Sequence, residues 1–225
     1  MVAPNSSSPV REAARSTLMK LYKHLGCPKE FAEFYPIRLS DVIALLGWTL
    51  REETSLGFTP IGEILQAKCD FPNKTIFITS EALQGPESAF TLAHEIGHAA
   101  LHRSAPVCLS GTLVRRASTR RQRQNWPLEE QRIEREANVF ASELLMPGKA
   151  VRYYFRLVIE KDSVWRGSAF AKRITQIGES REIGPQELAA SLAEYEREDL
   201  RSLKTFFGVS RSAMATRLVE LDLAG

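Results

Sequence analysis

A chain of 225 residues with 44 % hydrophobic and 25 % charged side chains can build one sizeable core, or a catalytic domain with a small appended module, and is neither fibre nor linker. A net charge of +3 does not by itself indicate nucleic-acid binding, and Cys27, Cys69 and Cys108, scattered and without CxxC spacing, argue against both a secreted disulfide framework and a cysteine-held zinc. No run approaches the ~20 apolar residues of a membrane span, so a cytoplasmic protein with no membrane partner is expected.

Residues 1–10, polar and rich in Ser and Pro, read as a disordered tail. From Val10 to about Cys27, Ala13, Leu18, Leu21, Tyr22 and Leu25 fit one apolar helix face that ends at Gly26. A second helix is predicted from near Leu39, with Ser40 or Asp41 as its cap, through Ile43, Leu45 and Leu46 to Gly47; Trp48 to Arg51 then reads as extended. Two strands are expected at Ile61–Ala67 and Lys74–Thr79, joined by a turn at Asp70–Asn73. Pro86 and Glu87 suit the start of a helix that runs through Phe90, Ala93, Gly97 and Ala100 to about His102. Residues 103–125 hold six arginines with almost no apolar periodicity and read as a long basic loop. Pro127, Glu129 and Glu130 open another helix, whose stripe Ile133, Ala137, Phe140, Ala141 and Leu144 stops at Met146-Pro147-Gly148. A helix over Ala150–Glu160, another from near Pro185, and two short helices around Gly208-Val209-Ser210 complete the chain.

The helix before the basic loop carries His94-Glu95-Ile96-Gly97-His98. Histidines four apart project from one helix face and can reach one ion. Zinc takes nitrogen, sulfur or oxygen donors in a tetrahedron, and a catalytic site keeps one position for water. Glu95 lies about 60° round the helix from His98, beside the ligand face rather than on it. A zinc ion lowers the pKa of bound water from 15.7 to about 7, so a carboxylate at Glu95 can take its proton. A third ligand must come from the helix opened by Pro127. Glu134 borders its apolar stripe and shares a column with Asn138, which can orient a metal-bound imidazole. It is preferred to Glu136, which stands on the other flank without such a partner. The other glutamates of this helix read as a solvated face, and His102 as a hydrogen-bonded histidine at a helix end.

These residues resemble a known family. His94 through His102, followed by Glu134 through the Leu144-Leu145-Met146-Pro147 ending, are similar to the ImmA/IrrE metallopeptidases. The segment from Tyr35-Pro36-Ile37-Arg38-Leu39 to Gly47, and the end around Phe206-Phe207-Gly208-Val209-Ser210, are similar as well. The resemblance implies that His94, His98 and Glu134 are metal ligands and that Glu95 is the catalytic base. It also implies a substrate, since members of the family cleave helix-turn-helix repressors. The Arg-rich stretch and an insertion between about 149 and 198 depart from the shorter members.

The expected fold is α+β: a zincin-like metallopeptidase domain with a small antiparallel sheet and an active-site helix, over 11–148. An appended helical C-terminal region follows over 149–225, helix-turn-helix-like at 199–223. The expected activity is that of a gluzincin-like peptidase, HExxH plus Glu, with one Zn2+ ion, a set that also accepts Mn2+ or Fe2+. A substrate segment would pair with the Thr75–Thr79 strand, its partner held by the basic loop and the C-terminal helices. Two alternatives remain: a DNA-binding regulator with a structural or sensory zinc, and a mobile-element or toxin–antitoxin component. Direct nucleic-acid binding is not favoured, because Arg211 and Arg217 alone make a thin basic face. An intact Glu95 favours the enzyme, since a structural site needs no base.

Overall fold

In a computed structural model, which describes residues 9–58, 64–102, 128–176 and 182–225, the β-branched run Thr75–Thr79 is the central strand of a three-stranded sheet. Strand β1 (Thr49–Glu53) pairs parallel to β3 (Thr75–Thr79), and β2 (Ala67–Asp70) pairs antiparallel to it, giving the order β1-β3-β2. The sheet is therefore mixed, not purely antiparallel as expected. The β2–β3 hairpin is closed by a four-residue turn, with Asn73 donating to Asp70 at 2.9 Å and Lys74 in a left-handed conformation at φ 46°. Strand β1 instead joins β3 in parallel register, from Thr49 beside Thr75 to Glu53 beside Thr79. Nothing in its own sequence announces this direction, because all five of its residues are exposed and no face selects a partner.

The second strand lies later than Ile61–Ala67. Ala67 and Cys69 are buried while Lys68 and Asp70 are half-buried, so small residues mark the inner face. Ile64, which suggested the earlier span, is exposed, and residues 61–63 lie outside the described residues. The central position of β3 also overturns the expected pairing of a substrate with it. Both its edges are already occupied, by β1 on one side and β2 on the other.

Two compact units are formed, one from Met1–Lys29 and Arg38–Leu144, the other from Glu30–Ile37 and Leu145–Gly225. In the first, α1 (Pro9–His24) and α3 (Leu39–Leu45) bury Ala14, Leu18, Leu21, Val42 and Ile43. Helix α1 begins two residues inside the expected tail; residues 1–8 lie outside the described residues. Arg38 precedes α3, so Ser40 and Asp41 sit in its first turn and do not cap it. Thr79 ends β3 and caps α4 (Ser80–Gln84), its hydroxyl accepting from Ala82 N at 3.2 Å. Helix α5 (Ser88–Leu101) follows, with Glu87 at its cap position, and packs on β2 and β3. The Arg-rich 103–125 stretch and Pro127 lie outside the described residues. Helix α6 (Leu128–Leu145) buries Ala137, Phe140, Ala141 and Leu144 of the predicted stripe, while Ile133 is half-buried.

The other unit is helical: α2 (Phe31–Phe34), α7 (Gly148–Ile159), α8 (Ala169–Thr175), α9 (Pro185–Glu194), α10 (Leu203–Phe207) and α11 (Arg211–Glu220). Helix α9 packs against α8, α10 and α11. Tyr154 stacks on Phe206 with centroids 3.7 Å apart, and its hydroxyl donates to the Arg201 carbonyl at 2.9 Å. Arg217 is buried and donates through Nε to the Met146 carbonyl at 2.9 Å, one of the acceptors that a helix end leaves unpaired. Gly208 closes α10 at φ 64°, where a Cβ would come within 2.6 Å of the Pro36 ring. Among the described residues, no helix is long and apolar enough to cross a membrane.

One contact sets the spacing of the two helices that carry the motif residues. A Cβ on Gly97 of α5 would stand 3.0 Å from the Ala137 carbonyl oxygen and 3.1 Å from its Cα, both backbone atoms of α6. Gly97→Ala should therefore push the helices apart and cost about 1–3 kcal/mol, the usual penalty of overpacking. Denaturant unfolding of the metal-free protein measures this, and a variant as stable as wild type would show that the helices are not held so closely.

Candidate metal centre

Helix α5 is buried on every side from Phe90 to Ala99, as befits a helix at the centre of a unit. Yet His94 is 5 % exposed, and Glu95 and His98 are not exposed at all. Buried polar groups are costly unless each finds a partner, so the helix must meet complementary groups. For the Nε2 atoms of the two histidines a carboxylate comes from α6. His94 Nε2 lies 3.2 Å from Glu134 Oε2, His98 Nε2 lies 3.3 Å from Glu134 Oε1, and the two Nε2 atoms are 3.0 Å apart. The structure thus brings His94, His98 and Glu134 into one cluster able to hold a metal ion.

The spacing suits a tetrahedral ion. Bonds of about 2.0–2.1 Å give a tetrahedron edges of about 3.3–3.4 Å, close to the separations between these three donors. The hydrogen bonds behind the cluster point the same way. His94 Nδ1 is 3.1 Å from Asn138 Oδ1, an acceptor, so this nitrogen carries the proton. A neutral His94 then directs a bare Nε2 at a carboxylate oxygen, and two lone pairs face one another unless positive charge lies between them. Protonating both rings would place two imidazolium groups side by side in a buried site, which desolvation and like-charge repulsion oppose. A divalent cation satisfies all three donors at once. Burial alone would raise the Glu134 carboxyl; hydrogen bonds and charge from His94 and His98 in their protonated forms would hold it well below the usual carboxylate range, and a bound cation would do the same.

Glu95, next to His94 in the chain, is not one of the three. Its Oε2 accepts from the Cys69 thiol of β2 at 3.4 Å, and the same sulfur lies 3.3 Å from its backbone carbonyl. Nothing in the sequence pairs these two residues, because the contact depends on how β2 crosses α5. Glu136, passed over because no Asp or Asn stands four residues after it, has partners of another kind. It accepts from His102 at 3.1 Å and from Arg132 at 2.6 Å, and the histidine belongs to a different helix end. His102 is buried; burial lowers its pKa, and the hydrogen bond to Glu136 only partly opposes this. Glu143, expected on a solvated face, is 1 % exposed and accepts from Arg15 Nε of α1 at 2.9 Å. Its place on the buried side of α6 follows from α1, whose packing the local pattern does not reveal. Glu129 is exposed and pairs with Arg132.

Two comparisons bear on this arrangement. The family model Peptidase_M78, described as the IrrE N-terminal-like domain, matches residues 56–173, just over half of the chain. The chain is also 33 % identical over 143 residues to an uncharacterized immunity region protein 2 of Bacillus phage phi105, an overlap that covers 64 % of this chain and 72 % of that protein.

The cluster predicts linked metal uptake and stability. Zinc at a hundredfold excess over its Kd should raise the unfolding free energy by about 2.7 kcal/mol. His94→Ala and Glu134→Ala should abolish that gain, and a chelator should reverse it in the wild type. Calorimetry with and without zinc reads the effect; an equal shift in His94→Ala would place the ion elsewhere.

Proposed function

Because the chain belongs to the Peptidase_M78 family, the IrrE N-terminal-like domain, we propose that it is a zinc-dependent metallopeptidase hydrolysing one peptide bond in a specific protein, a helix-turn-helix transcriptional repressor. His94, His98 and Glu134 hold the ion, and α5, α6 and the sheet against α5 make up the zincin-like part of the chain. A divalent ion bound there supplies Lewis acidity, polarising the scissile carbonyl and acidifying water. Glu95 takes the proton from the attacking water and delivers it to the departing amine nitrogen, so the carbon–nitrogen bond breaks with no net change at the carboxylate. Asn138 keeps the Nδ1 proton of His94 in place, which leaves Nε2 free to donate its lone pair.

The observation that carries this reading is the convergence of three donors at near-tetrahedral spacing while the adjacent Glu95 is left out of the set. A structural zinc site closes its tetrahedron with a fourth protein ligand, whereas a catalytic one keeps a position open. Among the described residues the cluster has three members. Strand β2 packs against α5 and carries Cys69 beside Glu95. A relative from a phage immunity region supports a repressor as the cleaved protein. The DNA-binding alternative finds less support in α11. Arg217 is buried against Met146 and Arg211 pairs with Glu194 at 3.0 Å, so neither arginine of that helix stands ready for phosphate.

Glu95→Gln separates chemistry from metal binding. The variant should hold zinc as wild type does, and lose roughly 10²–10⁴-fold in rate, the usual contribution of a positioned acid–base group. Wild-type enzyme should cut a helix-turn-helix repressor encoded beside it at a single site and leave casein largely intact. A Glu95→Gln protein that cleaves at the native rate would remove Glu95 as the base, and rapid degradation of casein at many sites would remove the narrow specificity.

A further inference from the structure

His102 and Glu136 stand outside the three donors, yet they form a continuous line to one of them. His98 Nδ1 lies 3.1 Å from His102 Nδ1, and His102 Nε2 lies 3.1 Å from Glu136 Oε2. The second oxygen of Glu136 accepts from Arg132 Nη1 at 2.6 Å. Two imidazole nitrogens at hydrogen-bond distance attract each other only if one carries a proton and the other does not. His98 must keep its Nε2 lone pair for the ion, so its proton sits on Nδ1 and is the one donated. His102 Nδ1 is then the acceptor, which puts the His102 proton on Nε2, facing the carboxylate. Each donor along the line meets an acceptor, and the carboxylate at its end is held on its other side by a guanidinium.

We infer that His102, fixed by Glu136, is a positioning residue that sets the tautomer and ring orientation of His98 for metal binding. The inference rests on the reading of His94, His98 and Glu134 as the ligands. It assigns the two histidine ligands different supports: His94 leans on the neutral amide of Asn138, and His98 on an imidazole backed by a carboxylate. It also explains two features that the proposed mechanism leaves unused. His102 continues the His94–His98 column by one more turn and is buried to 7 % exposure, and Glu136 turns towards it, away from the donor cluster.

The test is the zinc dissociation constant, read by competition with a chromophoric chelator on the full chain. His102→Phe fills the space but cannot accept a proton from His98, and should weaken zinc binding by about 10–100-fold, the usual effect of losing a group behind a metal ligand. His102→Gln, whose side-chain oxygen can accept, should recover a large part of that loss. A role in packing alone predicts the opposite order, since phenylalanine preserves the ring and glutamine does not. Glu136→Gln, at a partly exposed side chain that the fold tolerates, should weaken binding by a smaller factor and keeps the test available if His102→Phe does not fold. Zinc affinities of His102→Phe or Glu136→Gln equal to wild type would overturn the inference and leave the ligand set standing. A wild-type protein that takes up no zinc would overturn both.

Discussion

The centre depends on how closely two helices approach at Gly97. With no Cβ at that position, the backbone of α6 comes to rest directly on α5, beside Ala137. Glu134 is three residues before Ala137, close to one helical turn, and the approach therefore delivers its carboxylate to the imidazoles of His94 and His98. Asn138 arrives one residue after Ala137 and meets the other side of His94. Bulk at position 97 would separate every one of these pairs together, because a packed interior has no slack in which to absorb it. The glycine inside HEIGH is thus a packing requirement of the site and not only a gap between two ligands.

Burial does the rest. A helix enclosed by its own unit from Phe90 to Ala99 has no water to solvate its histidines and its glutamate, so their surroundings must be built. The partners come from three elements. Glu134 and Asn138 come from α6, Cys69 from β2, and His102 from the end of α5 itself, where Glu136 completes the line. In the proposed chemistry the groups behind the donors fix their tautomers, so the cluster meets an ion with its lone pairs already directed.

Much of this was legible in the sequence because it is local or periodic. His94 and His98 share a helix face by spacing alone, and Glu134 with Asn138 was marked out by a four-residue step beside an apolar stripe. Where the reading erred, the missing information was long-range. The direction of β1 depends on its pairing with β3, since its five exposed residues carry no inside–outside pattern. Strand β2 was shifted because Ala67 and Cys69 are small and give a weak apolar signal beside Ile64 and Leu65. A substrate segment cannot pair with β3, because β1 and β2 flank it, and strand order is not written in any one segment. Glu143 reads as solvent-facing on the wheel of α6, but Arg15 comes to it from α1, and His102 comes to Glu136 from the end of α5. Near the end, Leu203–Phe207 and Arg211–Glu220 form two helices around Gly208; the burial of Arg217 against Met146 depends on a contact 71 residues distant in sequence.

The central claim is that one divalent ion is held by two imidazoles and one carboxylate, with a position left for water. X-ray absorption at the zinc edge of the loaded protein measures the donors directly. The account predicts two histidine nitrogens and light oxygen scatterers at about 2.0–2.2 Å, with no sulfur in the coordination sphere. A sulfur shell at about 2.3 Å would contradict it, because Cys69 beside Glu95 would then be a ligand and the cluster a different kind of site.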